Sequence, residues 1–264
     1  MIVSNIVTIA KKELHSYFSS PLAYIIATFF WLVSGFFFVE ILLGQQGIIQ
    51  QIAYREQTGL AVGSVDVASE LMTSYLAILG TLTLLIIPIL SMGLYAEEKR
   101  QGTLELLITS PISNWAISLG KLLAVTLLFL FLSIPSILYE AIALGAAEPS
   151  YPVVLILLAH LGLLLMAISL LAIGMFISSL TVSNILSAIL TFSVILFFWL
   201  IDLIASNFTG WLANGLKYIS LLEAYNNLVL GIVNTSDLLL FFSCIFIGVF
   251  LTSQSIKLFC LNRP

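Results

Sequence analysis

Long apolar runs alternate with polar segments along most of this chain. Each run contains about 20 residues or more, the length that a helix needs to cross a hydrocarbon core roughly 30 Å thick. The pattern therefore predicts an all-α protein with six transmembrane helices. The predicted spans are residues 22–43, 72–95, 115–144, 153–180, 185–204 and 238–259.

The first 20 residues have a different pattern, in which apolar residues recur at helical spacing opposite a polar stripe that contains Lys12 and His15. Such a helix is typical of a membrane interface, and we expect His15 to lie on its solvated face. Ser20 and Pro21 supply an N-cap and a proline at the first position of a new helix. We predict an interfacial elbow helix over residues 1–20 and a single six-span domain over residues 21–264. The apolar positions of the elbow are Ile6, Ile9, Ala10, Leu14 and Tyr17.

Composition agrees with membrane insertion. Hydrophobic residues make up 61% of the 264 residues, charged residues only 8%, and the mean hydropathy is +1.16; soluble domains carry about 25% charged residues. The first apolar run is too long for a signal-peptide core of about 7–15 residues, so we expect it to remain in the mature protein. Cys244 and Cys260 have no spacing typical of a disulfide or a metal site, and we expect no bound metal.

Basic residues orient the six predicted spans. All but Arg55 and Lys217 fall on one side of the six-span arrangement, and basic residues in short loops favour the cytoplasmic side. We therefore predict a multi-pass membrane protein with both termini in the cytoplasm. The predicted cytoplasmic basic residues are Lys11, Lys12, Lys99, Arg100, Lys121, Lys257 and Arg263.

The loop over residues 96–114 is the most strongly charged segment between two spans. Gly102 can end the preceding helix, and Thr103 can cap a short helix from Leu104 to about Thr109, which Pro111 then stops. We expect this helix to lie parallel to the membrane and to present Leu104, Leu107 and Ile108, with Glu105 in its first turn. Exposed leucines favour a docking surface, although a solvated loop that only orients the protein remains an alternative.

On the opposite side, residues 44–71 form a long polar segment, and residues 205–237 are too many for a simple turn. The second segment mixes apolar residues such as Trp211 and Leu212 with polar residues and glycines. Irregular backbone at membrane depth is stable only where protein or a wet cavity satisfies it. We therefore predict short re-entrant or interfacial helices before the last span.

Several ionisable residues lie within or near the outer halves of the predicted spans. Charged groups inside a membrane are costly and often line a pathway, so a substrate vestibule or a proton relay is one interpretation. The simpler one, which we favour, is that Glu40, Glu140 and Asp202 reach water at the outer interface and that His160 is a packing residue. The candidate pathway residues are Glu40, Glu140, His160, Asp202 and Glu223.

The segment EEKRQGTLELLITSPISNWAISLGK, residues 97–121, resembles the coupling-helix signature of ABC-2-type transporter permeases. KKELHSYFSSPLAY and NNLVLGIVNTSDLLLFF are similar to the elbow and the last-span entry of the gliding-motility-associated branch of that family. The resemblance implies that the loop docks on an ATPase. The residues it places at that interface are Glu97, Glu98, Lys99, Arg100, Gly102, Thr103, Leu104, Glu105, Leu106, Leu107 and Pro111.

The resemblance also implies the partners: two copies of an ABC ATP-binding subunit, which hold the ATP and magnesium, and a second permease chain, identical or paralogous. The expected surroundings are the lipid bilayer of a bacterial plasma (inner) membrane and an extracytoplasmic accessory protein, and we expect no nucleic acid. The chain should bind no cofactor itself and should not be an enzyme. A phosphate loop would need glycine where Trp115 stands and Ser or Thr where Leu122 stands.

Three functions remain open at this level. The first is the permease subunit of an ATP-driven exporter. The second is a mechanical or scaffold subunit, in which ATP-driven motion acts on an extracytoplasmic partner. The third is a proton-coupled transporter that uses Glu140, Asp202 or His160 and needs no ATPase.

Overall fold

A computed structural model describes residues 2–57, 67–108, 112–145, 151–207 and 215–261. Within these ranges the chain forms α-helices and no β-strand. The helices are α1 (Ile2–Ser19), α2 (Pro21–Leu43), α3 (Ile48–Gln57), α4 (Val67–Ser91), α5 (Gly93–Gln101), α6 (Leu104–Ile108), α7 (Asn114–Gly145), α8 (Val153–Leu180), α9 (Asn184–Asn207), α10 (Leu221–Val229) and α11 (Thr235–Leu261).

The predicted all-helical, six-span architecture is confirmed, since six helical segments of the described chain are long and apolar enough to cross a membrane. They lie in α2 with most of α3, in α4 with α5, and in α7, α8, α9 and α11. The second segment is longer than predicted because the polar sequence after the apolar run continues as helix to Gln101. Gly102 ends that helix in the left-handed conformation, with φ of 70°.

The elbow is confirmed as α1, and a sharp boundary separates it from α2. The Ser20 hydroxyl oxygen accepts a hydrogen bond of 3.3 Å from the Leu22 backbone N–H, and Pro21 occupies the first turn of α2. Ile9 and Ala10 on the predicted apolar face are buried, whereas His15 is exposed as predicted. The apolar face of α1 packs mainly against α7.

Helix α8 lies at the centre of the bundle and packs against α4, α7, α10 and α11. Small residues allow these close approaches: a Cβ added at Gly248 on α11 would lie 2.7 Å from the backbone carbonyl of Ala172 on α8. Helices α2 and α9 are the least buried of the candidate spans, and their outer faces are apolar. Such faces suit a lipid environment or a neighbouring membrane helix.

One end of the bundle, which we call the charged end, holds α1, α5, α6 and the starts of α7 and α9. The other, the opposite end, holds α3 and α10. Helix α10 is a short helix within residues 205–237, where the sequence predicts short helices; its re-entrant or interfacial position stays a prediction. Trp211 and Leu212 of that segment lie outside the described residues. The Ser220 hydroxyl oxygen caps α10 by accepting a hydrogen bond of 3.0 Å from the Glu223 N–H.

Two glycines form a slot that receives α10. A Cβ at Gly80 on α4 would lie 2.8 Å from Tyr225 Cε1, and one at Gly162 on α8 would lie 2.9 Å from Leu228 Cβ. The Tyr225 hydroxyl is buried in this slot and donates a hydrogen bond of 2.7 Å to the Leu76 carbonyl oxygen. Helix α10 is therefore packed into the bundle and covers the ends of α4 and α8.

Candidate functional site

A buried lysine joins three helices at the charged end. The Lys121 side chain on α7 is 1% exposed, and its Nζ donates hydrogen bonds to Glu98 Oε1 on α5 at 2.9 Å and to Glu13 Oε1 on α1 at 3.1 Å. The same ammonium lies 5.2 Å from the centre of the Tyr95 ring. We call Glu13, Glu98 and Lys121 the charged triad. Because one ammonium pairs with two carboxylates, none of the three helix ends can separate without leaving a charge unpaired.

Close packing surrounds the charged triad. A Cβ at Gly120 on α7 would lie 2.8 Å from Ile9 Cβ on α1, so glycine allows the elbow to approach α7. The Tyr17 hydroxyl of α1 is buried and has no hydrogen-bond partner among the described residues. Burial, with a contribution from the carboxylates of Glu13 and Glu98, raises the pKa of Tyr17, so its phenol remains neutral.

Helix α5 is also fixed to the last turn of α8. The Ser178 hydroxyl oxygen accepts hydrogen bonds from the Tyr95 and Ala96 N–H groups, each at 3.1 Å, and donates one of 2.8 Å to the Met92 carbonyl oxygen. Lys99 Nζ donates to the Ser179 carbonyl oxygen and lies 5.0 Å from the centre of the Phe259 ring. The ends of α8 and α11 therefore meet α5 at the charged end.

Glu97 completes this set of contacts. Its Oε1 accepts hydrogen bonds of 2.6 Å from Arg100 Nη2 and Gln101 Nε2, and its Oε2 accepts one of 2.6 Å from Asn184 Nδ2 at the start of α9. The arrangement holds α5 in a fixed orientation between the turn of α8 and α9 and the charged triad. The bundle therefore fixes the position of α6, the short helix that follows α5.

Helix α6 follows directly after Gly102. Leu104 is 1% exposed and belongs to the apolar core, whereas Leu106 is 75% exposed and Glu105 is also exposed. The expectation that Leu104 faces the cytoplasm is therefore wrong. Its side chain anchors this short helix to the bundle, and Leu106 takes the outward position. The side chains of Leu107 and Ile108, and Thr109 and Pro111 entirely, lie outside the described residues.

Comparison with known families decides what kind of protein has this site. The family model for ABC-2 family transporter proteins matches residues 7–256, which is nearly the whole chain. The chain belongs to the ABC-2 transporter family. None of the curated proteins compared with this permease matches it significantly. Membership implies a membrane subunit that works with an ATP-binding subunit, in agreement with the six apolar helices.

At the opposite end the permease contains a second polar cluster. Glu140 on α7 is fully buried, and its Oε2 lies 3.5 Å from Nδ1 of His160 on α8, whose side chain is 9% exposed. The same Nδ1 lies 3.0 Å from the Ile156 carbonyl oxygen. Neither carboxylate oxygen of Glu140 has a hydrogen-bond partner among the described residues, and the same is true of the Tyr75 hydroxyl.

The favoured interpretation that Glu140 reaches water is therefore wrong. The carboxylate lies close enough to Tyr75 on α4 and Tyr225 on α10 to interact with both electrostatically, so the bundle and α10 enclose it. Glu40 is exposed, as the same interpretation expects. Asp202 is half-buried and accepts a hydrogen bond of 2.6 Å from the Ser220 hydroxyl, while Glu223 is half-buried on α10. Whether these residues line a pathway stays a prediction.

The residues of the charged end that sequence reasoning missed include Glu13, Lys121, Ser178 and Asn184. Two of them had a signal in the sequence. Glu13 lies four residues after Ile9 on the otherwise apolar face of α1, and Lys121 lies two turns inside an apolar run. A charge on an apolar face needs a partner, and the two opposite charges could have been paired on that ground. Ser178 had no comparable signal.

Replacing the buried lysine tests the charged triad. We expect Lys121→Met to lower the free energy of unfolding by about 3 kcal/mol, because Glu13 and Glu98 lose their buried cation. They keep only the exposed ammonium of Lys12, which lies 3.4 Å from Glu13 Oε1 and 4.0 Å from Glu98 Oε1. Lys12 is a matched control, since its ammonium lies 3.4 Å from Glu13 Oε1 but its side chain is 63% exposed. Lys12→Met should cost less than about 1 kcal/mol. The measurement is denaturant unfolding in detergent. Equal losses of stability in Lys121→Met and Lys12→Met would contradict the role of Lys121 in joining the three helices.

A double-mutant cycle tests the buried pair. We expect His160→Leu to cost about 2 kcal/mol, because the buried Glu140 carboxyl group loses its polar neighbour at 3.5 Å. Glu140→Leu combined with His160→Leu should cost at least about 1 kcal/mol less than the sum of the single changes. The exposed Glu40 supplies the control, since Glu40→Leu and His160→Leu should be additive. Additivity in the first cycle would show that Glu140 and His160 do not interact.

Proposed function

We propose that this permease is the membrane subunit of an ATP-driven exporter in a bacterial inner membrane. Two copies of a separate ATP-binding subunit hold the ATP and magnesium, and two permease chains form the membrane domain. Helix α6 is the surface on which the ATPase docks. Family membership supports the class of protein, and the geometry of the charged end supports the role of α6.

The observation that supports this proposal most strongly is the way in which α6 is anchored to the bundle. Leu106 is exposed on a helix that Leu104 anchors in the core. Directly before it, α5 is joined through Glu98 to Lys121 on α7 and Glu13 on α1. A displaced α6 therefore moves a preassembled group of helix ends rather than a loose loop. A helix that transmits rigid-body motion needs such firm contacts with the elements that it moves.

The distribution of basic residues supports the proposed orientation. Lys12, Lys99, Arg100 and Lys121 all lie at the charged end, and basic residues favour the cytoplasmic side. Both chain ends then lie in the cytoplasm, where an ATPase can reach α6. ATP binding brings the two ATPase copies together and shifts α6, α5 and the elbow as a unit. The spans respond by exposing a cargo site to the opposite end, and the outward direction is taken from the resemblance to exporters.

A mechanical role is the second candidate, and α3 is the observation that favours it. This helix of 10 residues, Ile48–Gln57, lies at the opposite end in the connection from α2 to α4. Ile48 is buried, whereas Ile49 and Gln50 are exposed. An extracytoplasmic partner bound here would receive the same ATP-driven motion without any cargo crossing the membrane.

Leu106 gives the most direct test of the docking surface. We expect Leu106→Asp to lower the recovery of the ATP-binding subunit with the tagged permease at least tenfold, because it places a charge in an apolar contact; losing an anchor residue typically costs about 2 kcal/mol. The measurement is affinity purification from the native cell in mild detergent, followed by an assay of ATP hydrolysis.

Two further variants make that result specific. Val182 is 58% exposed in the turn between α8 and α9. Val182→Asp should leave recovery of the ATPase unchanged. Leu104→Asp places a charge in the core and should lower the amount of folded permease itself. Normal ATPase recovery and activity with Leu106→Asp would contradict the role of α6.

A further inference from the structure

A cavity lies at the charged end, in the gap that α1 and α2 form with α4 and α5. Its volume is about 650 Å³, which falls in the range of small-molecule sites. Helix α1 packs mainly on α7, so the gap on its other side remains open. The cavity adjoins the charged triad, because Glu13, Glu98 and Lys121 are among its lining residues.

The lining changes from polar to apolar along the bundle axis. Gln101, Thr103 and Asn184 line its outermost level, and Glu98 and Lys121 follow. Ile26, Leu90 and Leu128 line the innermost level, and Leu128 lies two helical turns, about 10 Å, beyond Lys121 on α7. The cavity therefore has a polar head region at the membrane boundary and an apolar tail region inside the bilayer.

The rim of the cavity opens to two environments. Leu22 on α2 is 49% exposed and Ile89 on α4 is 41% exposed, although both line the cavity. Their exposed apolar surfaces lie at the level where lipid surrounds the bundle. At the polar level Lys12, Gln101 and Thr103 are also exposed. A molecule with its tail in the lipid and its head in water can therefore enter sideways without leaving the interface.

The head region offers acceptors that lack donors. Glu98 Oε2, Asn184 Oδ1 and the Tyr17 hydroxyl have no hydrogen-bond partner among the described residues, and all three residues line the cavity. The Glu97 carboxylate is paired with Arg100, and those of Glu13 and Glu98 share the ammonium groups of Lys12 and Lys121, but Glu98 Oε2 still lacks a donor. A head group that brings N–H donors complements these acceptors, and an anionic head group, which brings further acceptors, does not.

We propose that this cavity binds an amphiphile with an ammonium head group, taken from the adjoining leaflet, and that such amphiphiles are the cargo of the transporter. The cargo assignment rests on the proposed export function, whereas the binding site does not. The tail lies along Ile26, Leu90 and Leu128, and the ammonium lies at the level of Glu98 and Asn184. Leu106, on the proposed docking surface, does not line the cavity.

Binding of three lysolipids with one acyl chain tests the site. Lysophosphatidylethanolamine has N–H donors, lysophosphatidylcholine has positive charge without them, and lysophosphatidylglycerol is anionic. We expect binding to the purified permease, measured by native mass spectrometry at several concentrations, to weaken in that order. The first lipid should saturate at one molecule per chain and bind at least tenfold more tightly than the third. Equal binding of all three would overturn the proposal.

A glycine on the cavity lining allows the site to be filled without a clash. A Cβ at Gly93 would meet nothing within 4 Å, and Gly93 lines the cavity. We expect Gly93→Leu to weaken binding of lysophosphatidylethanolamine at least tenfold in a folded protein. Gly145 is the matched control, because a Cβ there also meets nothing within 4 Å but lies at the far end of α7. Gly145→Leu should leave binding unchanged. Equal losses of binding in Gly93→Leu and Gly145→Leu would overturn the location of the lipid site.

A lysine added to the cavity lining tests the head region without filling the cavity as Gly93→Leu does. Ser16 and Ser19 are both exposed on α1, but of the two only Ser16 lines the cavity. Ser16→Lys should reduce the preference for lysophosphatidylethanolamine over lysophosphatidylglycerol at least threefold, and Ser19→Lys should not. If neither variant changes the preference, the head group does not lie at this end of the cavity, and the proposal fails.

The ATP-driven complex tests the cargo assignment. We expect lysophosphatidylethanolamine to raise ATP hydrolysis by the purified complex at least twofold with the wild-type permease and not with Gly93→Leu. Binding without stimulation would overturn the cargo assignment and leave a lipid site. If no ATPase is recovered with the permease, the export function fails, while the binding comparison on the permease alone still decides the site.

Discussion

The pairing of one buried ammonium with two carboxylates is the constraint on which the charged end depends. Lys121 is 1% exposed, and an ammonium in that position requires compensation of its charge and of its hydrogen-bond donors. Glu13 and Glu98 provide both, one from the elbow and one from the continuation of the second candidate span. Three helix ends that are distant in sequence are thereby brought to one point.

The contacts of α5 extend this constraint to the rest of the bundle. Ser178 holds the start of α5 against α8, and Glu97 reaches Asn184 at the start of α9. Leu104 then sets the position of α6 through burial alone. In the proposed function this geometry makes α6 a docking surface whose displacement reaches several spans. It also leaves the gap between the elbow and α5 that forms the amphiphilic cavity.

Much of the fold could be predicted from the sequence because its signals are local. The six spans follow from the length of the apolar runs, the elbow from helical periodicity, and the start of α2 from Ser20 and Pro21. The end of α5 at Gly102 follows from the freedom of glycine to adopt positive φ. The short helix after Gly102 could also be predicted.

The remaining features depend on contacts between distant parts of the chain. A helix of five residues has too little periodicity to show that Leu104 is buried and Leu106 exposed. Glu140 lies near the end of its span, but α10, which follows some 80 residues later, helps to enclose it. The slot for Tyr225 requires Gly80 and Gly162 to face each other, and no local pattern indicates such a pair. Residue roles in docking and transport remain predictions for the same reason.

Pulsed electron spin resonance on the permease in complex with its ATPase tests the central claim most directly. Spin labels at His15→Cys on α1 and Thr103→Cys next to α6, in a chain without Cys244 and Cys260, report the distance between the elbow and the docking helix. If the charged triad makes the elbow and the docking helix one rigid body, the distance distribution stays narrow and does not change between the nucleotide-free and ATP-trapped complexes. In Lys121→Met the distribution broadens. A shift on ATP binding, or a narrow distribution in Lys121→Met, would contradict the account.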